Sequence, residues 1–243
     1  MLFPHSNNPN APDANGWTPL HRAARRGHIE VMKILISTLT IPNVPDKDKY
    51  TPLHTAARHG KIEVVKLLIS TTNDINSQDH LGWTPINLAA HNGHLEIVKL
   101  LVKIPLASTD INLNVANSTG YTPIHNAVIN GHFEILKLLM LSGSCNNNPN
   151  APNNIGVTPI HQAAFHGHIE VIQLLMSKTE NPNTPRQDGC TPLHFAAHGG
   201  HIEIVKLLMS ATDNPNAPNN AGFTPRDAAL RNNHQDIAAL FLM

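Results

Sequence analysis

Residues 158–176 read TPIHQAAFHGHIEVIQLLM, and the chain repeats this pattern, with substitutions, along its length. The Thr-Pro pair that starts the pattern recurs at Thr18, Thr51, Thr84, Thr122, Thr158, Thr191 and Thr224. Subtraction of the residue numbers gives spacings of 33, 33, 38, 36, 33 and 33 residues. A nearly fixed period in this range is typical of a stacked array of similar units.

Each unit is expected to contain two helices. Thr158 can cap the first helix with its hydroxyl, and Pro159 suits the next position, where no backbone donor is needed. Gly167 tolerates positive φ at the end of that helix. The residues that follow form an apolar stripe typical of a second helix packed on the first: Ile169, Val171, Ile172, Leu174 and Leu175.

The size of the unit decides how it can be stable. A piece of 33 residues buries too little apolar surface to offset the entropy lost on ordering. Each helix pair must therefore stack on its neighbours. We expect an all-α fold that forms one domain over residues 1–243.

Residues 51–68 read TPLHTAARHGKIEVVKLL and carry a family resemblance. They resemble the ankyrin repeat pattern T-P-L-H-x-A-A-x-x-G-H-x-E-V-V-K-L-L, with Lys61 in place of the second histidine. The resemblance covers nearly the whole chain in seven copies. It implies an ankyrin-repeat solenoid of helix-turn-helix units joined by fingers, with a concave inner side.

The finger of each unit is marked by an asparagine eight residues before the threonine, at Asn10, Asn43, Asn76, Asn114, Asn150, Asn183 and Asn216. This asparagine matches the finger asparagine of ankyrin repeats, and we expect it to bond nearby backbone in a turn. Proline often precedes it where the family favours valine, at Pro9, Pro42, Pro149, Pro182 and Pro215. Because proline lacks the donor that strand pairing needs, we expect short turns and not β-hairpins.

The ends of the chain and two linkers depart from the repeat. Residues 1–10 resemble a finger and are interpreted either as the remnant of a longer array or as a truncated cap. Residues 224–243 form a C-terminal cap-like repeat, because its polar side chains are typical of a terminal unit. The extra residues of the longer spacings are expected around 104–113 and 144–148, where they either widen a groove or are neutral loop variation.

Composition limits the classes of function. Lys+Arg and Asp+Glu both number 17, so no bulk charge favours nucleic acid or a membrane surface. Cys145 and Cys190 fall at unrelated repeat positions, so a disulfide is not expected. The start of the chain has neither a basic segment nor a long apolar run, which favours a cytoplasmic, reducing setting.

The 17 histidines fall mostly into two sets. One set follows Thr-Pro-x, at His21, His54, His125, His161 and His194. The other starts the second helix, at His28, His94, His132, His168, His201 and His234. The resemblance implies that the first set bonds backbone between adjacent fingers and that the second helps to join the helices. Equivalent histidines of neighbouring repeats should lie about 10 Å apart, the spacing of packed helices. They cannot bind one metal ion, because metal–nitrogen bonds are about 2 Å long. We therefore expect no metal or cofactor.

Binding residues are sought at positions that differ between copies while their neighbours stay constant. These positions lie just before the threonine and seven or eight residues after it, which in ankyrin repeats face the concave side. The predicted binding residues are Trp17, Arg25, Arg26, Tyr50, Arg58, His59, Trp83, His91, Tyr121 and Phe165. The alternative is that the aromatics only pack against the fingers and the arginines are solvated, with Asp13, Asp46 and Asp79 neutralising part of their charge.

The predicted function is a non-catalytic scaffold, monomeric, that binds another protein with acidic and apolar features. Aromatic residues and arginine carry most binding energy at protein interfaces, and the sequence contains no nucleophile elbow, kinase or phosphate-loop motif. Two alternatives stay open. The aromatic and arginine side chains can hold a nucleotide or a short single strand, or the chain is a targeting segment of a larger enzyme or channel.

Overall fold

The computed structural model describes residues 9–39, 41–72, 74–103, 114–142 and 148–242. Within these ranges the regular structure is helical, without strands, which confirms the all-α fold and the expectation that the fingers are turns. The predicted insertion at 104–113, nearly all of that at 144–148, Cys145, and residues 1–8 lie outside the described residues. The chain divides into two compact units, Met1–Ser118 and Thr119–Met243, which we describe separately.

Unit 1 contains three helix pairs, namely α1 (Pro19–Arg26), α2 (Ile29–Ser37), α3 (Pro52–Arg58), α4 (Ile62–Ile69), α5 (Pro85–His91) and α6 (Leu95–Val102). The two helices of each pair pack together. The first helices of successive pairs also pack side by side, α1 on α3 and α3 on α5, as do the second helices. The pairs therefore stack in sequence order.

Unit 2 contains four pairs, namely α7 (Pro123–Ile129), α8 (Phe133–Leu141), α9 (Pro159–His166), α10 (Ile169–Met176), α11 (Pro192–Gly199), α12 (Ile202–Met209), α13 (Pro225–Arg231) and α14 (Gln235–Leu240). First helices again pack on first helices, from α7 to α13, and second helices on second helices, from α8 to α14. In the last pair Gln235 is exposed, where earlier copies carry a half-buried apolar residue.

The core of each pair comes from the alternation of small and large apolar residues. In the second pair Ala56, Ala57, Val65 and Leu68 have no exposed surface. The two alanines lie on the first helix, where their small side chains let neighbouring helices approach closely. Each fully buried Val or Leu contributes about 1.5–3 kcal/mol relative to an exposed one, and this burial is completed only by the neighbouring pairs.

The start of each first helix satisfies its backbone donors with side chains. In the second pair Thr51 Oγ1 accepts from the His54 N–H at 3.3 Å, and His54 Nδ1 accepts from the Thr51 N–H at 3.1 Å. The Leu53 N–H donates to Asn43 Oδ1 at 3.1 Å. Pro52 has no N–H, so the first turn leaves no donor unsatisfied. The side chain of the finger asparagine therefore bonds the start of the helix, ten residues further along the chain. The prediction had named only nearby backbone of the turn and did not include this longer contact.

The first set of histidines links neighbouring pairs, as the resemblance implies. His54 Nε2 donates to the Trp83 carbonyl at 2.9 Å, and His161 Nε2 donates to the Cys190 carbonyl at 3.1 Å. Because Nδ1 already accepts from a backbone N–H, the hydrogen of the neutral ring lies on Nε2. Burial disfavours the charged ring and lowers the pKa of both His125 and His161 to about 4.

The second set of histidines also bonds backbone carbonyls. His94 Nε2 bonds the Arg58 carbonyl at 3.0 Å, and His201 Nε2 bonds the Phe165 carbonyl at 2.9 Å. Each bond reaches the first helix of the preceding pair, so these rings join helices of neighbouring pairs. A Cβ built on Gly167, whose φ is +80°, would lie 2.6 Å from Cε1 of His201. Glycine here provides both the left-handed helix end and the space for the ring.

Candidate functional site

The predicted aromatic residues of unit 1 are half-buried and rest on histidines. The rings of Trp17 and His21 stack with centroids 5.6 Å apart, and those of Tyr50 and His54 lie 5.0 Å apart. Trp83 instead meets the predicted binding residue His91 edge-on at 5.5 Å. One side of each ring therefore supports the fold, and the part left exposed is available to a partner.

Burial also fixes the chemical state of the Tyr50 hydroxyl. Desolvation raises the pKa of Tyr50 to about 12, although the charge of Arg58 opposes this rise. The hydroxyl therefore stays protonated and donates to the His54 carbonyl at 3.4 Å. Tyr50 presents an apolar ring and a fixed donor beside an arginine.

The predicted cations of unit 1 form an exposed group that we call the arginine surface: Arg25, Arg26, Arg58 and His59, with Trp17 at its edge. Partial burial and then the charges of Arg25 and Arg58 hold the pKa of His59 below its usual value. The charges of Arg25 and Arg58 therefore lie close enough to disfavour a positive charge on His59. Trp17 and its neighbours Arg22, Arg25 and Arg26 line a hollow of about 420 Å³.

The acidic residues of the fingers are engaged elsewhere. Asp46 Oδ1 accepts from the backbone N–H groups of Asp48 and Tyr50, both at 2.9 Å. Asp13 binds its own turn in the same way and forms an ion pair of 2.7 Å with Arg22. Within the described residues Arg25, Arg26 and Arg58 form no ion pair. Asp13 therefore neutralises Arg22 and not the arginines of the arginine surface, which keeps its positive charge.

Two predicted residues, Tyr121 and Phe165, belong to unit 2. The Tyr121 hydroxyl accepts from Gln162 Nε2 at 3.0 Å. Phe165 stacks on His198 with centroids 5.5 Å apart and meets Phe195 edge-on at 6.2 Å. The ten predicted residues are therefore divided between the two units.

Unit 2 contains a concave surface whose residues the sequence interpretation did not group together. We call it the phenylalanine groove. It measures about 510 Å³, and its lining includes Phe165, Arg186, Cys190, Phe195, His198, Asn219, Phe223, Ala228, Arg231 and Asn232. Only Phe165 was in the predicted set.

Arg186 shows what signal was missed. Five residues before the threonine the other copies carry aspartate or asparagine, as in Asp46 and Asn153, and only the sixth copy carries arginine. Arg186 forms a two-pronged ion pair with Asp188, whose Oδ1 also accepts from the Cys190 N–H at 3.0 Å. The aspartate of the turn has thus moved two residues along, and the arginine lies with its guanidinium 5.1 Å from the centre of the Phe195 ring.

The second helices carry a different kind of surface. Their first-turn glutamates pair with lysines three residues later, with Nζ to Oε1 distances of 2.8 Å for Lys33–Glu30, 2.6 Å for Lys66–Glu63, 2.7 Å for Lys99–Glu96 and 2.9 Å for Lys206–Glu203. The charges are exposed and already neutralised, so they offer matched controls for the unpaired arginines.

Among the described residues no group of histidine, cysteine or acidic side chains is arranged to hold a metal ion. None of the helices in the same residues has both the length and the apolar character needed to cross a bilayer.

The fold and the side chains define a class of protein: a repeat protein whose constant residues build stacked helix pairs and whose variable residues gather beside the first helices. The family model for ankyrin repeats (3 copies) matches residues 1–79, 71–153, 106–186 and 160–243. The chain therefore belongs to the ankyrin repeat family. Comparison with curated proteins returned no match.

Proposed function

We propose that the chain is a non-catalytic binding module whose arginine surface recognises an acidic, partly apolar segment of another protein. Ankyrin repeats generally mediate binding between proteins, and this supports the general role. The observation that carries the choice of surface is the unpaired charge of Arg25 and Arg58 beside half-buried aromatics. The proposed setting is the cytoplasm, in agreement with the free thiol of Cys190.

The constant side chains support this proposal because the fold already uses them. Threonine, histidine and asparagine bond the backbone in most repeats, and the glutamates of several second helices pair with lysines. The side chains of the arginine surface contribute none of these bonds. A rigid scaffold that presents arginines without acidic partners beside fixed aromatic side chains loses little entropy when a partner binds.

A peptide selection tests the proposal and does not require that the partner be identified. A random peptide library displayed on phage is selected on the wild-type protein, and affinities of the enriched peptides are measured again for Arg25→Ala/Arg58→Ala. We expect acidic peptides with apolar residues and a loss of affinity of about tenfold or more, since central arginines are frequent hot spots.

Lys66→Ala is the matched control, because it removes one exposed positive charge that is already paired with Glu63. It should leave the affinity within about twofold, the range for an exposed pair. The proposed surface is wrong if the selected peptides bind the double arginine variant as tightly as the wild type while its helical circular dichroism is unchanged.

A further inference from the structure

We propose that the phenylalanine groove of unit 2 is a second binding site, separate from the arginine surface, and that it takes a short extended peptide in which an aromatic side chain lies next to a carboxylate. Three features of the groove carry this inference: aromatic walls, space at Ala228, and one arginine without an acidic partner.

The walls of the groove are aromatic and held in place. Phe165 and Phe223 are 39% and 37% exposed, which is much for large apolar side chains. Phe195 meets the buried ring of His161 edge-on at 5.2 Å and Phe165 at 6.2 Å. The rings therefore need little reordering to receive another aromatic ring, and edge-to-face contacts of this kind add about 0.5–1.5 kcal/mol beyond area burial.

The space between the walls depends on Ala228. Four residues after the threonine the other copies carry larger side chains, Arg22, Thr55, Leu88, Asn126, Gln162 and Phe195. Alanine at this position is half-buried and lines the groove. Since the same fold accommodates Leu, Gln and Phe at this position, the space is not required by the packing of the helices.

The charge of the groove selects the chemistry of the ligand. Arg186 is neutralised by Asp188. The guanidinium of Arg231 lies 3.7 Å from the centre of the Phe223 ring and forms no ion pair within the described residues. Asp227 accepts from both the N–H and the hydroxyl of Thr224, and these bonds, followed by the charges of Arg226 and Arg231, hold the pKa of its carboxyl below its usual value. Asp227 thus interacts with Arg231 through charge but forms no ion pair with it. One unpaired arginine suits a carboxylate, whereas a nucleic acid strand needs a row of cations along its phosphates.

A direct binding measurement tests the groove. The probe is a short blocked, fluorescent peptide that alternates glutamate and phenylalanine. Anisotropy reports its affinity for the full chain carrying Arg25→Ala/Arg58→Ala, so that the arginine surface does not bind the same acidic peptide. Control peptides carry lysine for glutamate or alanine for phenylalanine. We expect the glutamate–phenylalanine peptide to bind at least tenfold more tightly than either control. Equal binding of the lysine peptide, or no binding of the first peptide, overturns the proposal.

Two variants assign the binding to this groove. Ala228→Gln fills the space with the residue that the Thr158 copy carries at the same position, Gln162, and should weaken binding at least tenfold. Arg231→Glu should do the same and also favour the lysine peptide, a reversal that misfolding cannot produce. Lys206→Ala, which removes a paired charge elsewhere in unit 2, should bind like the wild type. Unchanged binding by Ala228→Gln contradicts the site.

The thiol of Cys190 gives an independent readout, because it lines the groove and accepts from Asn219 Nδ2 at 3.1 Å. In a Cys145→Ser background, bound peptide should slow alkylation of Cys190 by iodoacetamide at least fivefold. Arg25→Ala/Arg58→Ala should leave this protection intact, which separates the groove from the arginine surface. Protection by an oligonucleotide and not by the peptide would assign the groove to another ligand and reject the proposal.

Discussion

The two units are built from the same repeat but differ in the side chains that the repeat leaves free. Seven residues after the threonine, unit 1 carries Arg25, Arg58 and His91, whereas unit 2 carries Ile129, Phe165, His198 and Arg231. The threonine, proline and alanines around these positions hardly change. The difference teaches that the fold constrains one subset of positions, and that binding chemistry varies at the positions which it does not constrain.

A few of the positions that the fold constrains also differ between copies, and these differences show what the fold requires there. The histidine that links one pair to the next is replaced by Asn87 in the third copy and by Asp227 in the last. Asn87 also accepts and donates, but its Oδ1 accepts from the Thr84 hydroxyl and its Nδ2 donates at 3.3 Å to the carbonyl of Val115, earlier in the following finger than the histidine's partner. Asp227 can only accept, and it does so from Thr224.

Acid should destabilise the protein, and this is the largest effect we expect. The pKa of His125 and of His161 is about 4 in the folded chain and near 6.5 in the unfolded one, so the unfolded chain binds more protons between these values. The stability is therefore complete above about pH 6.5 and is lost as the pH falls towards 4, by about 3 kcal/mol for each histidine.

Urea unfolding followed by circular dichroism at several pH values measures this loss. The variant His161→Asn tests whether protonation of this histidine causes the loss, because asparagine can accept and donate hydrogen bonds without titrating, as Asn87 does. It should flatten the fall between pH 6.5 and 4. An equally steep fall in this variant would show that His161 does not control the acid response.

Removal of a linking histidine should lower the free energy of unfolding by a similar amount in the two units. His54→Ala in unit 1 and His161→Ala in unit 2 each leave the N–H of the capping threonine without its partner, remove one of the two bonds that a carbonyl accepts, and open a cavity. We expect a loss of about 4 kcal/mol in the free energy of unfolding for each. Denaturant titration at pH 7 checks the pair, and a loss below about 1 kcal/mol in one unit only would break the equivalence of the two frameworks.

Much of this framework could be predicted from the sequence, because period, Thr-Pro pairs and apolar stripes are local signals. The histidine bonds of the first set also followed from the resemblance. The partner of the second set did not, because a ring such as His94 reaches a carbonyl of the preceding pair, and no spacing within one repeat shows this.

The candidate sites were predicted less completely. The arginine surface was found because its residues vary at positions that face the concave side in ankyrin repeats. The phenylalanine groove was missed because it depends on an absence of volume at Ala228 and on Arg186 in a turn position. Both residues differ from the other copies in the sequence, but only the packing of neighbouring pairs shows that they line one groove.

Asn87→His should have a small effect at neutral pH and a visible one in acid. It restores to unit 1 the residue that most copies carry, so the free energy of unfolding at pH 7 should change by less than about 1 kcal/mol. It also adds a buried titrating ring, so the fall in stability below pH 6.5 should become steeper. Parallel denaturant titrations at pH 7 and pH 5 check both, and a shallower fall in acid would contradict the proposed equivalence.

The most direct test of the division between constrained and free positions is an exchange between the units. In the variant Arg58→Phe/Phe165→Arg, each side chain takes the residue that the other unit carries seven positions after its threonine. The free energy of unfolding should stay within about 1 kcal/mol of the wild type, while the affinity for peptides selected on the arginine surface falls about tenfold. A loss of more than about 3 kcal/mol in stability, or unchanged peptide binding, would contradict the account.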